Sequence, residues 1–328
     1  MFQMNKVLCL MMILVVTPKV FAMPNITDAL EHAKILFEQQ AIVDAEQAFL
    51  ALQETHPNES FYYLGRVKLA LNQFDEAEEY LEKALRLEPN SADEYYWYAK
   101  VNAEQIKHAS IFSKLSYASN TEDAFLAAID KDATHIKALQ GLFYFYLSAP
   151  SIAGGSEAKA VRQIRAIEAL SSHAAMKLWI DFYLLTGNDE ALITYTDTLL
   201  ERKTIDEAVL FKAGIALQSI KHYDGAFAFF RTLIVIKEAK HYAAGLYQIG
   251  RTAVFSEVNV DEGIAALQTY LTLEISTDGP DKNWARLRLS QLYMLQGNTL
   301  GAKKLIGKLK STRISDKDLI KAIRQLRI

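Results

Sequence analysis

The chain has 328 residues and a formal net charge of −3, with 36 Lys and Arg against 39 Asp and Glu. A balance this even leaves no bulk electrostatic basis for a nucleic-acid or membrane partner. Cysteine occurs once, at Cys9, which excludes an internal disulfide framework.

The first element is a leader. Lys6, the apolar run Val7 to Val16, then Pro18, Lys19 and Val20-Phe21-Ala22 form the pattern of a secretory signal with a small residue at the cut. Roughly 20 apolar residues are needed to span a bilayer as a helix, and this run is about half that. Cleavage is expected after Ala22, which makes residues 1–22 a signal peptide and the mature chain periplasmic or secreted. Removing Lys6 and Lys19 moves the charge from −3 to −5, and the mature chain then carries no thiol. No later segment is apolar for long enough to cross a membrane.

From residue 24 onward the chain reads as consecutive pairs of short amphipathic helices. Phe61 to Pro89 shows the pattern most clearly: Phe61, Leu64, Gly65 and Lys68 lie on a first helix, Ala77, Leu81 and Ala84 on a second, and Pro89 closes it. Gly65 and Ala77 are small where two helices would cross, while Phe61, Leu64 and Leu81 fill the space around the crossing. These offsets resemble the tetratricopeptide repeat (TPR), a helix–turn–helix unit of about 34 residues. The resemblance implies an all-α fold, a TPR α-solenoid forming a right-handed superhelix, in which each repeat packs on its neighbours.

The same register recurs along the chain. Ala29, Ala33, Leu36, Ala45, Phe49, Leu52 and Pro57 make a first repeat, and 58–91 the second. The third begins with Tyr95, Tyr98 and Ala99, but its second helix, carrying Phe125 and Ala128, comes about ten residues late. An insertion near His108 to Ser119 is therefore expected. The fourth pairs Leu139, Leu142 and Phe143 with Ala160, Ile164 and Ile167 across an enlarged turn. The fifth pairs Leu178-Trp179 and Phe182 with Ala191 and Tyr195, and the sixth Leu210, Ala213-Gly214 and Leu217 with Ala226, Phe230 and Leu233. The seventh pairs Leu246 and Ile249-Gly250 with Gly263, Leu267 and Tyr270, and a Gly279-Pro280 loop follows. The eighth pairs Leu289-Ser290 and Tyr293 with Ala302, Ile306 and Leu309. A last helix, Ser315 to Arg327, is expected to cap the array, with Ser315 as N-cap and Asp318 three residues on. About eight repeats and this cap account for residues 23–328 and leave no room for a catalytic domain.

The turn of the fourth repeat carries a second resemblance. Ala149-Pro150-Ser151-Ile152-Ala153-Gly154-Gly155, followed by Lys159-Ala160, is similar to the APxIAGG turn of a group of exported proteobacterial TPR proteins. A similar GG turn occurs in the periplasmic TPR component of some TRAP solute transporters, although no lipid-anchor cysteine is present here.

Catalytic chemistry finds little support in the residues. Gly154-Gly155 lacks a GxxxxGK[ST] context and reads as a structural turn. The seven histidines include no HExxH, and GxSxG is absent. The run Asp75, Glu76, Glu78, Glu79 and Glu82 reads as a solvated helix face. No enzyme activity and no cofactor are expected. Binding is the better prospect: in the family the concave groove is lined by first helices, and the corresponding positions here include Tyr62, Arg66, Tyr96 and Lys100 toward the N-terminus. Farther along, Met176, Tyr183, Phe211, Tyr247 and Arg251 give a more apolar stretch. Aromatic anchors beside Arg and Lys are what peptide recognition commonly uses. The Lys and Asn set by which chaperone-binding TPR domains hold a C-terminus is not reproduced. The expected function is a non-catalytic periplasmic scaffold for a protein or peptide; the alternative is a solute- or lipid-binding accessory of an envelope transport system. The segment from Lys303 to Arg327 is strongly basic and reads as the polar outer face of the cap.

Overall fold

The computed structural model describes residues 26–87, 91–202, 204–238, 240–274 and 281–326. The leader with its cut after Ala22, Pro89, the Gly279-Pro280 loop and Arg327 lie outside the described residues. Among those described there are seventeen α-helices, one short 3-10 helix and no strand. The chain divides into two compact units, 1–90 and 91–328.

The first unit holds two helix pairs: α1 (Ile26–Glu38) with α2 (Ile42–Ala51), and α3 (Pro57–Ala70) with α4 (Phe74–Arg86). Pro57 opens α3 at its first turn, where the missing N–H costs nothing. The register expected from sequence is the buried one: Ala33, Ala45, Phe49, Leu64, Ala77, Leu81 and Ala84 are all fully buried. Gly65 is required by its partner, because a Cβ there would overlap the Leu81 side chain. Tyr63 stacks on Phe49 at 4.7 Å, tying the two pairs together. Lys68 adds a polar tie, with its ammonium 2.8 Å from Glu46 and 2.5 Å from Glu76, so α2, α3 and α4 share one cation.

The second unit runs from α5 (Ala92–His108) and α6 (Ile111–Lys131) through α7 (Ile136–Ser148) and α8 (Glu157–Leu170) to α9 (Ser172–Leu185) and α10 (Asp189–Leu200). It continues with α11 (Glu207–Ser219), α12 (Tyr223–Val235), α13 (Tyr242–Ser256), α14 (Val260–Thr272), α15 (Lys282–Leu295), α16 (Thr299–Ser311) and α17 (Lys317–Gln325). Small-on-large crossings recur: Gly141 lies against the Phe125 ring, Gly214 against Phe230 and Gly250 against Leu267. Several pairs turn in three residues whose middle one is left-handed: Gln40 (φ 63°) and Asn72 (φ 59°) in the first unit, and Gly187 (φ 69°), Lys221 (φ 63°) and Gly297 (φ 85°) here.

Two expectations need correction, and the insertion near His108 to Ser119 takes a helical form: only Ala109 and Ser110 separate α5 from α6, and the extra residues extend α6 at its N-terminus to 21 residues. Ser110 caps it, its Oγ accepting from the Ser113 N–H at 3.3 Å. In the fifth repeat the buried stripe of α10 is Leu192, Thr196 and Leu199, one residue on from Ala191 and Tyr195, which are half-buried. The N-cap of α17 is Asp316, not Ser315: its carboxylate accepts from Asp318 N–H and Leu319 N–H at 2.9 and 3.0 Å and from the Trp284 indole N–H at 2.8 Å. A carboxylate with three donors outcompetes a hydroxyl for that place. Leu319 and Ile323 then bury against Leu287 and Leu309, leaving Lys303, Lys304, Lys308, Lys310, Lys317, Lys321 and Arg324 exposed.

Candidate functional site

The two irregularities in the repeat pattern, the lengthened α6 and the APSIAGG turn, meet in space. Between them lies an apolar pocket of about 580 Å³. Its walls are built by helical spacing: α5 presents Lys100, Ala103, Glu104 and Lys107, and α7 presents Gly141, Tyr144, Phe145 and Ser148. The α6 extension adds Ile111, Lys114, Leu115 and Ala118, and the turn adds Pro150, Ile152 and Ala153, with Phe125 behind. Apolar groups here face water to an unusual degree: Ile111 is 77% exposed and Ile152 84%, and Phe112, next to Ile111 in the chain, is 87% exposed. Exposed apolar clusters of this kind are characteristic of interaction surfaces and ligand pockets.

The turn that forms one wall is held rigidly. The Gly155 N–H donates to Pro150 O at 3.1 Å and the Ser156 N–H to Tyr146 O at 2.9 Å, while Gly154 N–H reaches Ser151 O at 3.2 Å. Those donors are spent on the turn itself, so the glycines are structural and offer no anion cradle. Gly154 is left-handed at φ 96°, and at Gly155 a Cβ would run into the Ala149 carbonyl. Glu122 on α6 fastens the arrangement from below: it accepts from Tyr146 Oη at 3.0 Å and pairs with Lys159 Nζ at 2.8 Å. Burial, reinforced by the Glu122 hydrogen bond, pushes the Tyr146 hydroxyl well above its ordinary pKa, so it stays a donor at any physiological pH.

Lys100, Lys107 and Lys114 line the same pocket. Lys107 pairs with Glu104 at 2.6 Å, whereas Lys100 and Lys114 have no ion pair among the described residues. The pocket is therefore apolar inside and net positive at its edge.

The groove residues expected from sequence fall into several settings. In the first unit Tyr62 and Arg66 come together: Arg66 Nη1 donates to Tyr62 Oη at 3.2 Å, and the guanidinium lies over the rings of Phe37, Tyr62 and Tyr63 at 4.7, 5.2 and 5.1 Å. In the second unit Tyr96 packs on Phe125 and His135, ring centroids 6.0 and 5.4 Å away, and so bridges neighbouring helices. Lys100 belongs to the pocket. Met176 and Tyr247 are buried in the core, 5% and 7% exposed, and give no open surface. Tyr183 stacks on Trp179 at 5.6 Å, Phe211 on His241 at 5.1 Å, and Arg251 is held by Gln218 and Gln248. Ile111 and Leu115 carry no motif in the sequence, and Ile152 reads there only as part of the turn, although apolar residues in an inserted segment are a usable signal.

Among the described residues no group of three His, Cys, Asp or Glu side chains is placed to hold a metal ion, and no helix is long and apolar enough to cross a membrane.

Residues 58–91 match the family model of the tetratricopeptide repeat. Among solved structures, the chain is similar to the C-terminal part of a TPR repeat-containing protein from Cytophaga hutchinsonii, at 14% identity over 89% of this chain and 98% of that one, TM-score 0.48. It is also similar to a tetratricopeptide repeat protein from Parabacteroides merdae, at 12% identity over 81% and 98%, TM-score 0.49. A thermophilic TPR protein in Thermus thermophilus aligns at 13% identity over 68% and 99%, TM-score 0.44. No curated protein matches the chain.

Proposed function

We propose that this chain, whose residues 58–91 match the tetratricopeptide-repeat model, is a non-catalytic binding scaffold which holds an apolar, acid-flanked segment of a protein partner in the pocket between α5, α6, α7 and the APSIAGG turn. The observation that carries this reading is the exposure of Ile111 and Ile152 around an apolar cavity edged by Lys100 and Lys114, neither of which has an ion pair among the described residues. Burying such side chains against a partner's anchors contributes roughly 1.5–3 kcal/mol per large residue, and the lysines select the partner by charge. The N-terminal signal pattern supports action outside the cytoplasm, in the periplasm. N-terminal sequencing of protein recovered from the envelope fraction tests that part: a mature chain starting at Met23 is expected, and an uncleaved Met1 overturns it.

Peptide selection on the full chain tests the site. Selected peptides should carry apolar anchors beside Asp or Glu, bind more weakly as salt rises, and be lost from Ile111→Glu/Ile152→Glu and weakened by Lys100→Glu/Lys114→Glu, with helical circular dichroism unchanged. Peptides bound equally well by both double variants would sink the assignment. The enclosed volume also suits a small apolar molecule, since ligand pockets run from about 300 to 1,000 Å³. Under this second reading, a solute- or lipid-binding accessory, native mass spectrometry should show an apolar acid retained by the wild type and absent from Ile111→Glu/Ile152→Glu.

A further inference from the structure

Away from the pocket, on α13 and α15, two arginines share one aromatic ring. The Arg251 guanidinium lies 4.9 Å from the Phe255 ring centre and that of Arg288 5.1 Å from the same ring. Neither forms an ion pair among the described residues. Their hydrogen bonds go to neutral amides: Arg251 Nη1 donates to Gln218 Oε1 at 2.5 Å and to Gln248 Oε1 at 3.3 Å, and Arg288 Nη1 to Gln291 Oε1 at 3.0 Å. The Arg288 Nε is buried and has no partner.

Amide oxygens satisfy donors without cancelling charge. Two like charges therefore meet around one ring with no ion-paired carboxylate among the described residues, an arrangement that costs free energy until an anion arrives. Burial lowers the Arg251 pKa; Tyr247 opposes that shift and the Arg288 charge adds to it. Arg251 is positioned from behind, because Gln218, only 5% exposed, is itself fixed by donating to Thr252 Oγ1 at 2.7 Å. Phe255, by contrast, is 40% exposed. Guanidinium forks match oxyanions, and the exposed part of the Phe255 ring beside them adds an apolar wall that an inorganic ion could not use.

We propose that Arg251, Arg288 and Phe255 form a binding site for an organic carboxylate, the acid held by the two guanidinium groups and its apolar body laid against the ring. The source is either a free acid or an Asp or Glu side chain beside an aromatic or aliphatic residue in a peptide. This site is independent of the pocket described above.

The test is an NMR titration of the full chain with labelled arginine, reading the Nε–H resonances of Arg251 and Arg288. The probes are 3-phenylpropanoate, its neutral amide, inorganic phosphate, and an acetylated, amidated Phe-Glu dipeptide. Saturable movement of both resonances is expected with 3-phenylpropanoate and not with the amide. Tighter binding of the dipeptide than of the free acid assigns the source to a peptide; the reverse assigns it to a small molecule. Arg288→Lys keeps the charge but loses the fork and should weaken binding about tenfold, near the loss of one charge-assisted hydrogen bond. Arg251→Gln/Arg288→Gln should abolish binding without lowering the melting temperature, because two unpaired cations are removed. The proposal is overturned if no saturable shift appears, if the amide or phosphate binds as well as the acid, or if the double variant melts lower, which would make the arginines structural clasps on Phe255.

Discussion

Replacing Gly214 with Ala sets two physical effects against each other at one atom. A Cβ added to Gly214 on α11 would lie 2.5 Å from Cε1, 2.7 Å from Cζ and 2.9 Å from Cδ1 of Phe230 on α12. Carbon atoms pack at about 3.5–4.0 Å, so the ring must retreat by about 1 Å. Phe230 is fully buried and planar, with Phe227, Phe229 and Leu233 equally buried in the same core, so the ring cannot simply swing aside. Overpacking of this kind costs about 1–3 kcal/mol, whereas Gly→Ala inside a helix returns about 0.8–1.0 kcal/mol from backbone propensity. The expected result is a net loss of up to about 2 kcal/mol. Gly307 on α16 is the control, since a Cβ there meets nothing within 4 Å. Gly307→Ala should keep only the gain, about 0.8–1.0 kcal/mol of added stability. Urea midpoints of the two variants, compared at unchanged slope, read the difference, and amide exchange within α11 reads it locally. If Gly214→Ala raises the midpoint as much as Gly307→Ala does, the close crossing of α11 and α12 is wrong.

Lys221 occupies a left-handed turn position at φ 63°, so Lys221→Gly should raise stability by about 0.5–1 kcal/mol in thermal melting, the relief of backbone strain exceeding the added freedom of the unfolded chain. Gly155→Ala should open the turn on α7 and α8, because its Cβ has no room beside the Ala149 carbonyl; loss of peptide binding with little change in helical circular dichroism is expected, and full binding would refute the wall assigned to the turn. The Leu319 N–H, the Trp284 indole and the Asp318 N–H hold the Asp316 carboxyl below its ordinary value. The stabilisation it gives is therefore present above the ordinary aspartate range and is lost as pH falls through the lowered folded value. The Trp284 indole N–H resonance should shift over that acid range, and Asp316→Asn should remove the transition. Ala77→Leu and Ala226→Leu, both at fully buried crossings, should each cost about 1–3 kcal/mol in thermal melting, and a negligible change at both would count against the repeat register.

Where one apolar stripe dominates a helix, the register was legible without a structure. Leu210, Gly214, Phe230 and Leu233 face inward as their spacing requires, because only one face of those helices can be buried against the next. In α10 the run Ala191, Leu192, Ile193 and Tyr195 offers two stripes one residue apart, and local periodicity has no means of choosing between them. Packing against the neighbouring helices chooses Leu192, Thr196 and Leu199. The cap of α17 shows the same limit at the scale of one residue. Ser315 and Asp316 both suit an N-cap, and the choice falls to Asp316 because Trp284, 32 residues away, brings it a third donor.

The helix pairs, the small residues at their crossings and the order of the repeats follow from local periodicity and from side-chain size at fixed spacing. Packing in three dimensions is what makes the late second helix late, because α6 is longer, and what brings this extension and the APSIAGG turn around one apolar pocket. The same packing brings Arg251 and Arg288, from two different helices, to the single ring of Phe255. A binding site is a convergence of residues far apart in the chain, and the energies that bring them together come from packing between helices, which no local pattern encodes.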